Sequence, residues 1–213
     1  MVVSNKEIMR YLKMGNTVPS ERISALIEEI VCVFREKITP KSLYAVYECE
    51  VNPPNVTFCG LTISSRSLSG HLGYCRRIAL LAVTLGASVD MLIRKYSVQD
   101  MGKTLIAQSV CAAMIESYCD NTEKELLQLN ELKGLYPVTR YSPGYGDFDI
   151  AFQKDILKLL GTPRIGLSLT DGFMLIPSKS ITAIIGFSEE KRKIAAKCGS
   201  CDDKDCGFRE EIQ

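Results

Sequence analysis

The chain has 213 residues, of which 46% are apolar and 24% charged, a composition typical of a globular protein with one large domain or two small ones. The formal net charge of +1 creates no global field that would attract nucleic acid or an anionic membrane, and no apolar run of about 18 residues could span a bilayer. The amino terminus is charged where a secretory signal peptide needs an apolar segment, so we expect a cytoplasmic protein with neither nucleic acid nor membrane as a partner.

The first half of the chain alternates irregularly between predicted helices and strands. In chain order, apolar spacing and β-branched or aromatic content predict helices at 5–14 and 21–37, strands at 41–51 and 55–63, a helix at 66–76 and a strand at 78–86. The sequence NPPN separates the strands at 41–51 and 55–63, which we expect to be antiparallel neighbours.

The second half begins with three predicted helices. The elements are helices at 89–96, 101–132 and 149–160 and strands at 164–170 and 180–187. Ser88 and Asp100 are predicted to cap the first two of these helices, and Gly161 to end the third. This irregular order predicts an α+β fold with a largely antiparallel, twisted sheet packed against helices. We expect one body over 1–187 and a cysteine-rich tail over 188–213.

One short segment, RYSPGYG at residues 140–146, has the composition of a ligand-binding turn. Pro143 fixes its own φ, while Gly144 permits positive φ and lets a ligand approach the main chain closely. Arg140 offers a planar fork to a carboxylate or phosphate, and Tyr145 offers an aromatic face and a hydroxyl. From local composition alone, a tight turn with a solvated arginine is the favoured interpretation.

The same segment resembles the arginine, proline-glycine-tyrosine element of the activation domain of cobalamin-dependent methionine synthase. Two further stretches are similar to that family in the same order: SLSGHLGYCRRIALLAVTLG before the motif and IGLSLTDGFMLIPSKSITAIIG after it. The resemblance covers roughly residues 40–187. It implies the α+β fold of that domain, here in a chain too short to hold the zinc, folate and cobalamin modules of methionine synthase.

The resemblance implies an S-adenosylmethionine-binding subunit that supports reductive methylation of an inactive cobalamin held by a partner. Arg140 would contact the methionyl carboxylate, main-chain groups at Ser142 and Gly144 would face the ligand, and Tyr145 would line the pocket. The implied partners are a cobalamin-dependent methionine synthase or another corrinoid protein, and an electron donor such as flavodoxin or ferredoxin. The chain would thereby take part in a methyltransferase system of methionine biosynthesis.

Two other functions stay open at this stage. The chain could be a non-enzymatic docking module that keeps the fold and binds a corrinoid protein, or an iron–sulfur electron-transfer adapter. Calorimetry with S-adenosylmethionine distinguishes the first from the enzyme subunit, and an absorbance spectrum of anaerobically purified protein tests the second.

Glu116, on the predicted long helix, is a candidate pocket residue or part of a solvated face. His71, the single histidine, is expected to be structural or on the surface.

Nine cysteines are many for such a chain, and three of them, Cys198, Cys201 and Cys206, lie in its last sixteen residues. Most of the other six lie in apolar patterns, where a free cysteine acts as a small hydrophobe. The tail spacing CxxCxxxxC suggests a zinc site or an iron–sulfur cluster, although both normally take four protein ligands. The fourth ligand could come from the body, a partner or an exogenous group. Redox-active thiols and a plain tail are the alternatives.

Overall fold

A four-stranded antiparallel sheet forms the centre of the protein in a computed structural model, which describes residues 3–15 and 17–191. Across the sheet, with elements numbered in chain order, the strands are β1 (Lys41–Glu48), β5 (Arg77–Thr84), β9 (Ser180–Ser188) and β6 (Tyr136–Pro137). The smaller sheets comprise β2 (Glu50–Asn52), β3 (Asn55–Phe58) and β4 (Leu61–Ser64), and the pair β7 (Ser168–Leu169) and β8 (Leu175–Ile176). The α+β class with antiparallel sheets is confirmed.

Six α-helices accompany these sheets in the described part of the chain. They are α1 (Asn5–Tyr11), α2 (Glu21–Lys37), α3 (Arg66–Leu72), α4 (Ser88–Ser97), α5 (Met101–Leu126) and α6 (Gln153–Leu160). Short 3-10 helices occupy Asn130–Leu132, Ile150–Phe152 and Thr162–Ile165. No helix among the described residues has the length and apolar content needed to cross a membrane.

Strand β5 is buried on both faces, which explains its nearly continuous apolar sequence. Ala79, Leu81 and Val83 pack into one hydrophobic cluster with residues of α1, α2, α4 and α5. Ile78 and Leu80 belong to a second cluster on the opposite face, shared with α3, α6 and the small β2–β3–β4 sheet. Alternate side chains of a strand point to opposite faces, so the sheet separates a layer of long helices from a layer of shorter elements.

Several predicted boundaries agree with the structure. Helix α2 has the predicted bounds of 21–37. Asp100 caps α5 by accepting hydrogen bonds from the N–H groups of Gly102 and Lys103. Gly161 ends α6 in the left-handed conformation, with φ of 61°. These are local signals, which depend on a few neighbouring residues and therefore survive tertiary packing.

The predicted strands at 41–51 and 55–63 were wrong in extent and partly in pairing. The first divides into β1 and β2, and the second into β3 and β4 at Cys59 and Gly60, which both have positive φ. Only β2 and β3 are antiparallel neighbours as predicted. β1 pairs instead with β5, because that register continues over eight residues and brings the strand onto the central sheet.

Three other predictions also need correction. Ser88 does not cap α4; the N-cap is Ala87, and the Ser88 hydroxyl donates to the Lys37 carbonyl at 2.7 Å, linking α4 to α2. α5 ends at Leu126, before the predicted 132. In the predicted strand at 164–170, the first two residues end a 3-10 helix that begins at Thr162, and only Ser168–Leu169 pair, with β8.

Candidate functional site

The RYSPGYG segment starts on the edge of the central sheet. The N–H of Val138 donates to the Gly186 carbonyl at 2.9 Å, and Tyr141 and Ile184 exchange two backbone hydrogen bonds at 2.9 and 2.8 Å. Arg140 lies between these two anchored positions. Because neighbouring side chains of an extended segment alternate, Tyr141 packs on the α3–α6 face while Arg140 reaches α5 on the other face.

Arg140 is held by three carboxylates on α5, from Glu116, Asp120 and Glu123. Its Nη1 donates to Asp120 Oδ1 at 2.8 Å and to Glu123, and its Nη2 donates to Glu116. The spacing of four and three residues puts the three acids on one helix face. The pKa of Arg140 is raised: burial by itself would lower it, and the charges of Glu116 and Glu123 outweigh that effect. The site therefore contains a permanently charged arginine.

These contacts leave part of the buried guanidinium without a described partner. Its side chain is 8% exposed, and arginine has five N–H donors, of which the three α5 carboxylates engage three. Among the residues that the structure describes, no partner is present for the N–H on Nε or for the second N–H on Nη2. Arg140 and the three α5 carboxylates together carry a formal charge of −2, so the site is anionic overall.

Helix α1 lies close to this charged cluster. The guanidinium of Arg10 stands over the Tyr11 ring at 4.8 Å from the ring centre, and its Nη2 donates to Glu7 at 2.7 Å. Burial, followed by the negative charge of Glu116, raises the pKa of Tyr11 to about 12. The amino-terminal helix therefore contributes to the surroundings of Arg140, a contribution that the sequence did not reveal.

The residues after Arg140 form a compact turn, which we call the motif loop (residues 142–148). Gly144 has the predicted positive φ, 93°, and its N–H donates to the Phe148 carbonyl at 2.7 Å. The N–H of Tyr145 donates to the Ser142 carbonyl at 3.3 Å. A Cβ on Gly144 would lie 3.6 Å from the Ile150 side chain, an ordinary contact distance. Gly144 is exposed, so its main chain is accessible, although its N–H is already engaged.

Tyr145 stands at the exposed tip of an aromatic cluster. Its side chain is 66% exposed, and its ring centre lies 6.3 Å from that of Tyr141. Tyr141 in turn contacts the rings of Phe148 at 6.4 Å and His71 at 5.0 Å. His71 Nε2 lies 2.6 Å from the Thr139 carbonyl oxygen, so that nitrogen carries the hydrogen and donates it. His71 thus has the structural role expected of it.

The loop returns to the body of the protein through Asp147. Its carboxylate accepts hydrogen bonds from the Ser65 hydroxyl at 2.6 Å and from the N–H groups of Arg66 and Ser67 at 2.9 Å each. These bonds, the Ser65 hydroxyl foremost, hold the pKa of the Asp147 carboxyl well below its usual range. Asp147 is therefore ionised throughout the physiological range.

Of the four predicted binding residues, Ser142, Gly144 and Tyr145 lie in the motif loop. The side chain of Arg140, from the preceding sheet edge, contacts Glu116 on α5 instead. Sequence reasoning missed Asp120, Glu123 and Asp147. The four-then-three spacing of acids after Glu116, on a helix that is otherwise largely buried, was a signal for the first two. We find no comparable signal for Asp147, whose partners lie about 80 residues earlier in the chain.

The predicted metal ligands Cys198, Cys201 and Cys206 lie outside the described residues. Within 3–15 and 17–191, no group of three or more histidine, cysteine, aspartate or glutamate side chains is placed to hold a metal ion. Four described cysteines are buried and free, as expected of small hydrophobes: Cys49, Cys75, Cys111 and Cys119.

Comparison with known proteins agrees with this fold. A family model described as the activation domain of vitamin B12-dependent methionine synthase matches residues 69–205, more than half of the chain. The crystal structure of the MetH reactivation domain bound to AdoHcy superimposes with a TM-score of 0.65 at 14% sequence identity, covering 91% of this chain and 72% of that one. At that identity the similarity shows the shared fold. A search of curated proteins finds no match. By the extent of the family match, the chain belongs to the activation-domain family of vitamin B12-dependent methionine synthase.

Proposed function

We propose that this protein binds S-adenosylmethionine at the motif loop and presents its methyl group to a corrinoid held by a partner protein. The observation that carries the proposal is the position of Arg140. Arg140 comes just before the accessible turn that carries the exposed Tyr145, its guanidinium is fixed by α5, and two of its N–H donors have no partner among the described residues. The structural similarity to a reactivation domain bound to AdoHcy supports it.

The residues fit the chemical parts of this ligand. The two remaining N–H groups of Arg140 suit the methionyl carboxylate, because a guanidinium binds carboxylates through parallel hydrogen bonds. The Tyr145 ring offers a face against which a flat base can stack. The net charge of −2 around Arg140 attracts the ammonium and sulfonium groups.

The chemistry requires positioning more than acid–base catalysis. When bound, S-adenosylmethionine supplies an electrophilic methyl group, and its transfer to reduced cobalt makes an unfavourable reduction irreversible. The chain's part is to hold the ligand in one orientation at an open surface that a corrinoid can approach. Loss of the methyl group also removes the sulfonium charge, so the same anionic site holds the product less strongly than the reactant.

Titration calorimetry tests the proposal directly. We expect wild-type protein to bind S-adenosylmethionine more tightly than S-adenosylhomocysteine, and Arg140→Ala to weaken binding roughly ten- to a hundredfold, since a charge-assisted contact is worth about 1.5–3 kcal/mol. Arg164→Ala, which removes an exposed arginine elsewhere, is the matched control. Absence of binding by the wild-type protein with its corrinoid partner present would refute the proposal.

A docking module without ligand binding is the second candidate function, and one observation favours it. The three α5 carboxylates already neutralise Arg140, which lowers its attraction for a further carboxylate. Stable association with a corrinoid protein, together with no heat of S-adenosylmethionine binding, would identify that function.

We propose further that Cys198, Cys201 and Cys206 hold a metal ion or an iron–sulfur cluster. The support is their CxxCxxxxC spacing in a polar segment. Such a cluster would accept electrons from a donor such as flavodoxin or ferredoxin, and with it the chain could act as an electron-transfer adapter. Metal analysis and electron paramagnetic resonance of anaerobically purified protein test this, with Cys198→Ser as the variant that should lose the signal.

A further inference from the structure

One carboxylate fastens the motif loop to the body of the protein. Asp147 Oδ1 accepts from the Ser65 hydroxyl and the Ser67 N–H, and Oδ2 accepts from the Arg66 N–H. Both oxygens are thus used, at 2.6 to 2.9 Å. A two-oxygen contact of this kind fixes the orientation of the carboxylate as well as its distance.

The packing of the adjacent glycine points independently to the same contact. A Cβ on Gly146 would lie 2.5 Å from Ser67 Oγ and 2.8 Å from the Tyr141 hydroxyl, and the residue has φ of 56°. The loop backbone therefore approaches the start of α3 more closely than any side chain would allow. This close approach brings the Asp147 carboxylate within reach of its three donors.

Capping of α3 alone does not account for Asp147. Ser65 already caps that helix locally, because its hydroxyl accepts from the Leu68 N–H at 3.0 Å. Asp147 is about 80 residues away in sequence from the α3 groups that it binds. Because α3 is already capped, these bonds serve mainly to fix the motif loop. The other end of the loop is fixed by the backbone pairing of Tyr141 with Ile184. Between these two ends, three backbone hydrogen bonds keep the shape of the loop: Tyr145 N–H to the Ser142 carbonyl, Gly144 N–H to the Phe148 carbonyl, and Phe148 N–H to the Tyr145 carbonyl.

We infer that Asp147 is a positioning residue of the ligand site. Its carboxylate fixes the second end of the motif loop, so that the Gly144 main chain and the Tyr145 ring are held in place before the ligand arrives. The inference rests on the proposed function. A loop that is ordered in advance binds more tightly, because the ligand does not have to order it.

The test compares Asp147→Ala with Asp149→Ala. Asp149 is an exposed carboxylate two residues later that accepts only from the Ala151 N–H at 2.8 Å, so it matches the charge and location of the change. Hydrogen exchange is measured on peptides covering 139–152, and S-adenosylmethionine affinity by calorimetry. We expect Asp147→Ala to speed exchange at Gly144, Tyr145 and Phe148, and to weaken affinity about tenfold, in proportion to the smaller fraction of molecules with a formed site. Asp149→Ala should do neither.

Asp147→Asn keeps an acceptor for Ser65 and Ser67 but faces an amide N–H toward that of Arg66. It should give intermediate exchange and affinity, and thermal unfolding of each variant verifies that it folds. The inference is overturned if Asp147→Ala matches Asp149→Ala in exchange, or if exchange rises while affinity stays unchanged. If the wild-type protein binds no S-adenosylmethionine, the proposed function fails, whereas the exchange data still report whether Asp147 fixes the loop.

Discussion

Arg140 has a role in the fold that does not depend on the proposed ligand. Its positive charge offsets the mutual repulsion of Glu116, Asp120 and Glu123, whether or not a ligand is present. The sequence predicted the residue and its turn but not its partners, since those lie 17 to 24 residues earlier on a helix whose facing side depends on tertiary packing. An arginine motif in a sequence therefore identifies a position more reliably than it identifies what the arginine contacts.

Replacing this arginine should destabilise the folded protein. Arg140→Ala removes the cation that the three α5 carboxylates share, and we expect the free energy of unfolding to fall by about 1–3 kcal/mol. This is less than for a fully buried pair, because the carboxylate side chains are 28–54% exposed and water screens them. Urea unfolding measures the change. Arg140→Lys retains the positive charge, so its free energy of unfolding should fall by less. An equal fall in the two variants would show that the charge does not provide the stabilisation.

The contribution of Asp147 to stability should depend on pH in a defined direction. Its pKa in the folded state lies below the ordinary value of 3.8, so its stabilisation is complete above about pH 5 and is lost as the pH falls through the folded-state pKa. The difference in unfolding free energy between wild type and Asp147→Ala should thus be constant from about pH 5 to pH 8 and shrink in stronger acid. A difference that instead grew on acidification would contradict the assigned bonds.

Strand β9 and helix α3 pack so closely at Gly186 that no side chain fits there. A Cβ on Gly186 would lie 2.5 Å from Cys75 Sγ and 2.6 Å from Leu72 Cδ2. We expect Gly186→Ala to cost about 1–3 kcal/mol of unfolding free energy, as overpacked cores do. Gly70→Ala is the control, because that exposed glycine of α3 has nothing within 4 Å and alanine favours helix. Denaturant unfolding should show a lower unfolding free energy than wild type for Gly186→Ala and a higher one for Gly70→Ala.

The bounds of helix α2 were easier to predict than the pairing of strand β1, for a physical reason. The bounds of α2 follow from its own spacing and its Ser20 cap, which are local. The pairing of β1 with β5 depends on residues 29 to 43 positions apart, and nothing in β1 itself distinguishes that partner from the nearer β3. The same limit applies to Asp147, which acts on an element remote in sequence.

At the scale of the whole molecule, the two hydrophobic clusters include no described residue beyond Phe187. The boundary between a body over 1–187 and a tail over 188–213 stays a prediction, and truncation after Lys191 tests it. We expect the melting temperature to change by no more than about 2 °C, since every described core contact is retained, while any bound metal is lost. A large drop in melting temperature would show that the tail is part of the folded body.

Strand β9 lies next to the edge of the central sheet. On the side away from β5, and within the described part of the chain, its backbone is covered by the two residues of β6, by Val138 and by Tyr141 of the motif. An uncovered strand as apolar as ITAIIGF is a template for pairing with another chain. The segment that leads into the motif loop therefore also shields the protein from self-association. Changes that loosen this segment would be selected against through aggregation, apart from any effect on the proposed activity, which constrains how freely the loop can evolve.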